Sequence, residues 1–174
     1  MKVLRAAVLG IALAALASPE ILRYAAERRL ARANAAFDYV LTRPAEVENA
    51  IGVLEAVTEA AVTTTPVLPG DSRAWVLAGS SQLVARNAER ALGCYREALA
   101  RGERAEIHLN FGRAAALSGQ RSVAETAFLR AVWISPALLR AVPQGFAEHA
   151  AAEVVRLEAE LGAGRLTAPP PPPN

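Results

Sequence analysis

Residues 73–136 read RAWVLAGSSQLVARNAERALGCYREALARGERAEIHLNFGRAAALSGQRSVAETAFLRAVWISP. This is one pattern written twice. Gly79, Ala91, Tyr95 and Ala98 return 33 residues later as Gly112, Ala124, Phe128 and Ala131. A small–small–aromatic–small series repeated in register marks a helical unit that stacks on a copy of itself, because one unit alone cannot bury its apolar face.

The composition of the whole chain agrees with this pattern. Apolar residues make up 53% and aromatics only 5%, so the core is built from small side chains that let helices approach closely. Ala, Leu, Arg and Glu, all strong helix formers, dominate. Val, Ile and Thr form no alternating run of strand length. The expected fold class is all-α.

Nineteen basic against 17 acidic residues leave a net charge of +2. That balance speaks against nucleic acid as partner, which needs a concentrated basic face. Cys94 is the single cysteine, so no internal disulfide can form.

On the N-terminal side, Lys2 and Arg5 precede the uncharged run Ala6–Ala17, which ends in Ala15-Leu16-Ala17. A basic start, a short apolar centre and a small-x-small exit predict a secretory signal peptide over residues 1–17. A retained membrane anchor and a buried first helix are the alternatives. The first two place the bulk of the chain outside the cytoplasm, periplasmic or held at the inner membrane, and the anchor makes residues 1–17 its membrane contact.

Ser18-Pro19-Glu20 reads as a helix start, with a capping residue, a proline at the first helical position and an acid at the positive helix end. Leu22, Ala26, Leu30, Ala33, Phe37 and Val40 then form one apolar stripe to Leu41. The basic residues beside it, Arg23, Arg28, Arg29 and Arg32, read as a solvated face or as contacts for anionic headgroups. After the Thr42-Arg43-Pro44 turn, a second helix is expected from about Ala45 to Val62, with Val47, Ile51, Leu54, Val57 and Ala61 inward. Residues 18–62 thus form an N-terminal hairpin.

TTTPVLPG (63–70) is the clearest internal break and places a linker at 63–72. Four helices follow over 73–136. A short helix opened by Ser135-Pro136 and a last helix from about Phe146 to Leu161 complete 137–162. The last helix carries Phe146, Ala150, Val154, Leu157 and Leu161 on one face, as suits a terminal cap of a repeat stack. Residues 163–174 carry five prolines, Pro169–Pro173, before Asn174 and are expected to be a free, extended tail, serving as an inert spacer or as a ligand for an aromatic groove.

The doubled stretch resembles the tetratricopeptide repeat, a helix–turn–helix unit of about 34 residues. The second unit matches through Phe111-Gly112, Gly119, Ala124, Phe128, Ala131 and Pro136, and the first through Trp75, Gly79, Ala91, Tyr95 and Ala98. The first unit departs at Arg86, which stands where the turn glycine belongs, and it lacks the closing proline. The resemblance implies a stack of helix pairs with a concave face lined by the first helix of each pair. By that analogy Arg73, Val76, Ser80 and Leu83, then Glu106, Leu109, Asn110 and Arg113, face a bound peptide or helix. Asn110 and Arg113 are only a fragment of the family's carboxylate clamp, which is not carried over.

Chemistry has few candidates. His108 and His149 lie 41 residues apart, with no ligand spacing that makes a metal motif. His108 reads as a core residue in an aromatic position. Cys94 beside Tyr95 reads as buried and inert, with Arg90 its one basic neighbour by helical spacing. Glu97 and Glu125 read as solvated charges. Trp75 and Trp133 are candidate anchors for a partner, or core residues. No nucleophile–base pair, phosphate loop or cofactor motif occurs. The sequence therefore predicts a non-enzymatic protein-binding scaffold of the cell envelope, without cofactor, serving for example the assembly of an export, secretion or polysaccharide apparatus. A membrane-anchored accessory subunit of a larger complex is the alternative.

Overall fold

A computed structural model describes residues 2–166 and 168–173, with side chains from Ser18 onward. It is all-helical, and no strand occurs among the described residues. Among the described residues seven α-helices run in order: α1 Lys2–Thr42, α2 Ala50–Val62, α3 Ser72–Val84, α4 Ala88–Leu99, α5 Ala105–Leu117, α6 Arg121–Ile134 and α7 Gln144–Gly162. Two 3-10 helices, Pro44–Glu46 and Pro136–Ala141, sit between α1 and α2 and between α6 and α7. Each α-helix packs on the next from α1 to α7, apart from the residues that turn the chain. Contacts of α1 with α3, and of α3 with α5, bring alternate helices side by side.

The repeat is visible in how the helices end. Asn87 N donates to Gln82 O at 2.8 Å, and Gln120 N donates to Ala115 O at 2.9 Å. Both are closures across five residues that need a left-handed residue just before the donor. Gly119 takes that conformation with φ 79°, and Arg86 takes it with φ 62°. The missing turn glycine of the first unit thus leaves the turn intact, at the expense of a residue type that disfavours it.

Several expectations are corrected. The helix boundary predicted at Ser18-Pro19 is absent, and Pro19 lies inside α1. Proline deletes one backbone bond of a helix, and here helix-forming sequence on both sides carries the helix through. The signal peptide or anchor expected over 1–17 falls where side chains lie outside the described residues. Among the described residues, no helix is long and apolar enough to cross a membrane.

The second helix does not start at Ala45. Pro44 opens the 3-10 helix instead, and α2 starts after Asn49, whose Oδ1 accepts from Gly52 N at 2.9 Å. The inward face becomes Leu54, Val57, Thr58 and Ala61. Ile51 stays exposed at 65% and Val47 is half-buried. Leu22 and Leu161 are also exposed, since the buried stripes of α1 and α7 start at Ala26 and stop at Leu157.

The 63–70 break is a loop, yet the core runs across it. Leu30, Phe37, Leu54, Val57, Ala74, Leu77 and Ala78 belong to one apolar cluster shared by α1, α2 and α3. Thr64 and Leu68 of the loop are themselves buried. A second cluster joins α4 through α7 around Tyr95, Phe111 and Phe128. The proline tail is not free, since Pro170 is buried and its carbonyl accepts from Arg130 Nη1.

Candidate protein-binding groove

Three of the residues expected to face a partner, Arg73, Val76 and Ser80, line a cavity of 490 Å³ between α1 and α3. They stand on its α3 wall, at the three- and four-residue spacing that puts them on one face. Leu30, Phe37 and Leu77 supply an apolar floor. Glu27, Asn34 and Asp38 stand on the α1 wall, and Arg104 closes the edge with Arg73. The groove is therefore apolar at its base, acidic on one side and basic on the other.

Arg73 is placed by its neighbours. Asp71 caps α3, its Oδ1 accepting from Arg73 N at 2.8 Å. The same carboxylate holds the Arg73 side chain, with Nε to Oδ2 at 2.8 Å. Arg73 Nη2 then reaches Glu27 Oε1 of α1 at 2.8 Å. The guanidinium lowers the Asp71 carboxyl below its ordinary range, chiefly through the side-chain hydrogen bond. These links fix the charged mouth of the groove, although surface pairs of this kind add only about 0–1 kcal/mol to stability. Ser80 Oγ lies 3.1 Å from the Tyr95 hydroxyl. Burial pushes that phenol up to about 12, so it stays protonated and able to donate.

The other five expected residues do not line this cavity. Leu83 packs against the α4–α7 cluster, and Leu109 is buried within it. Glu106 is exposed on α5. Arg113 turns to its own chain, donating from Nη1 to Asn110 Oδ1 at 3.0 Å and from Nη2 to Ala141 O at 2.8 Å. Asn110 and Arg113 thus hold the 3-10 helix Pro136–Ala141 against α5. The α1 wall was missed because Leu30 and Phe37 read only as core. The signal for it was the polar series Glu27, Asn34 and Asp38, at spacings of seven and four along the edge of that stripe.

A larger opening of 820 Å³ lies on α1 where it meets α2. Arg28, Arg29 and Arg32 rim it over a floor of small residues that includes Ala33, Gly52 and Ala56. It has no acidic residue in its lining to oppose the arginines.

The remaining candidates sort plainly. His108 is fully buried, its Nε2 2.8 Å from Glu103 Oε1, while Nδ1 has no partner. Burial lowers its basicity against the opposing pull of Glu103. Arg130 grips both Glu103 oxygens at 2.7 and 2.8 Å and holds that carboxyl down at about 2. Cys94 is half-buried, and burial pushes its thiol up despite Arg90. Trp75 is half-buried with Arg101 5.2 Å above its ring, and Trp133 is half-buried on α6. Glu97 pairs with Arg101 and Glu125 with Arg121, one helical turn away in each case. Among the described residues, no group of three or more His, Cys, Asp or Glu is placed to hold a metal ion.

No family model, no curated protein and no solved structure matches the chain.

Proposed function

We propose that the chain is a non-enzymatic scaffold of tetratricopeptide-repeat type in the bacterial cell envelope, holding a peptide or helix of a partner protein between α1 and α3. The pairs α1–α2, α3–α4 and α5–α6 are its stacked units, and α7 closes the stack. The observation that carries this reading is the α1–α3 cavity, an apolar floor flanked by acids on one wall and arginines on the other. Such a surface suits a segment with an apolar stripe and charges of both signs beside it. Assembly of an export, secretion or polysaccharide apparatus is the context, by analogy of fold.

A photo-crosslinking residue placed at Val76 in cells tests the groove. A discrete adduct is expected there, absent from the same probe at Glu125 on α6 and lost when Arg73→Glu reverses the basic wall. Identical adduct patterns from Val76 and Glu125 would defeat the proposal.

A second reading is favoured by one feature, the unbroken run of α1 from Lys2 into the body. A chain that keeps this helix would be a membrane-anchored accessory subunit packed on larger partners. N-terminal sequencing separates the two. A mature chain beginning near Ser18 supports the released scaffold, and an intact Met1 in the membrane fraction supports the subunit.

A further inference from the structure

Five consecutive prolines, Pro169–Pro173, stand just before Asn174, and three of them, Pro170, Pro172 and Pro173, lie against the helices. Pro170 is buried, and its carbonyl accepts a hydrogen bond from Arg130 Nη1 on α6. Pro172 and Pro173 line a cavity of 340 Å³ with Arg96 and Leu99 of α4, Glu103, His108 and Arg130. This surface is separate from the α1–α3 groove and shares no residue with it.

The chemistry of the site matches a proline run. A proline has no N–H, so burying its backbone leaves only carbonyl acceptors to satisfy. Arg130 offers donors, and Glu103 orients it by holding Nε and Nη2 at 2.7 and 2.8 Å. That leaves Nη1 for the tail carbonyl. The Arg130 side chain is only 11% exposed, so its donor is held in place rather than searching solvent. Arg96 is anchored in turn by the Phe111 ring, 5.5 Å from its guanidinium carbon. With Leu99 it supplies apolar surface for proline rings. A polyproline segment is already extended and stiff, so docking it costs little chain entropy.

We infer that the surface formed by Arg96, Leu99, Glu103, His108 and Arg130 is a docking site for a proline-rich segment, filled in cis by the chain's own tail. A proline-rich peptide from outside binds there by displacing Pro170–Pro173. The tail, tethered close by, competes at high effective concentration.

The test uses a fluorescent peptide of the tail sequence, LTAPPPPPN, titrated by anisotropy into two full-length chains. One is wild type, and the other carries Pro170→Ser, Pro172→Ser and Pro173→Ser, which weaken the cis tail. The substituted chain is expected to bind the peptide at least tenfold more tightly than wild type. Adding Arg130→Lys to it is expected to weaken binding at least tenfold, since the lysine cannot hold Glu103 and the carbonyl together. A control peptide with alanine in place of every proline should bind at least tenfold more weakly. Equal binding to wild type and the substituted chain, or equal binding of the two peptides, overturns the inference. Circular dichroism checks folding of the Arg130→Lys chain. If that chain does not fold, the two-peptide comparison on the chain that keeps Arg130 still decides.

Discussion

A Cβ atom built on Gly112 would sit 2.7 Å from Cε1 of Phe128, and one built on Gly79 would sit 2.8 Å from Cε1 of Tyr95. The glycine and the aromatic of each unit are therefore one device. The ring of the second helix occupies the space that a Cβ on the first would need. Phe128 is fully buried and backed by Phe146 at 5.1 Å between ring centres, so it has no room to retreat. Gly112→Ala should destabilise the protein, as overpacking of about 1–3 kcal/mol exceeds the helix-propensity gain of about 1 kcal/mol. Thermal melts check this. Gly93 gives the opposite sign, because it lies in α4 with nothing within 4 Å of its Cβ position. Gly93→Ala should stabilise by about 0.5–1 kcal/mol. A pair of variants moving the same way would remove the packing account.

Arg86 tests the turn of the first unit. Its φ of 62° puts a side-chain-bearing residue where Gly119 stands in the second unit. The left-handed region costs an L-residue about 1–2 kcal/mol. Glycine gives part of that back as unfolded-chain entropy, about 0.5–1 kcal/mol. Arg86→Gly should therefore raise the melting temperature by the remainder, a stabilisation of about 0.5–1 kcal/mol. A lower melting temperature would show that the Arg86 side chain contributes more than its backbone costs.

The repeat was legible because its packing needs residue types that little else can supply. Glycine under a ring and alanine at a crossing leave a pattern that survives in the letters. Features built from backbone atoms leave none. Arg113 reads as a groove residue until the Ala141 carbonyl is seen beneath it, and a proline run reads as a free tail until Arg130 is seen to hold it. Pro19 misled for another reason. A proline after a serine looks the same whether it starts a helix or lies within one. Ile51 failed because α2 begins at its Asn49 cap, and that sets which face turns inward. The α1 side of the cavity was hidden because the first helix carries no copy of the repeat.

Thr58 and Gln82 join the N-terminal hairpin to the repeats. Gln82 is fully buried, and its Nε2 donates to Thr58 Oγ1 at 2.8 Å across the α2–α3 contact. Its Oε1 accepts from Asn87 at 3.0 Å. Thr58→Val keeps the shape and removes the acceptor, leaving a buried amide N–H unpaired. The expected loss is about 1–3 kcal/mol, read from urea unfolding. Since one apolar cluster spans α1 to α3, the transition should remain single and shift as a whole. An early separate transition would show instead that residues 18–62 unfold independently.

His108 predicts a pH dependence whose sign follows from its burial. Its folded pKa lies below the ordinary 6.5, because burial disfavours the charged ring. As pH falls through about 6.5, the unfolded chain takes up this proton before the folded chain does, so stability is lost on acidification. The Glu103 carboxyl is also depressed, from 4.5 to about 2, so its contribution is lost only in a lower window. That contribution is small, since the Glu103 side chain is 40% exposed and its ion pair is screened by solvent. Between about pH 7 and pH 5, His108 is therefore the group to watch. His108→Phe keeps an aromatic in the buried site, removes the unpartnered Nδ1 and leaves Arg130 on Glu103. The melting temperature of the wild type should fall over this interval more steeply than that of His108→Phe. Parallel curves for the two proteins would mean that His108 does not titrate differently on folding.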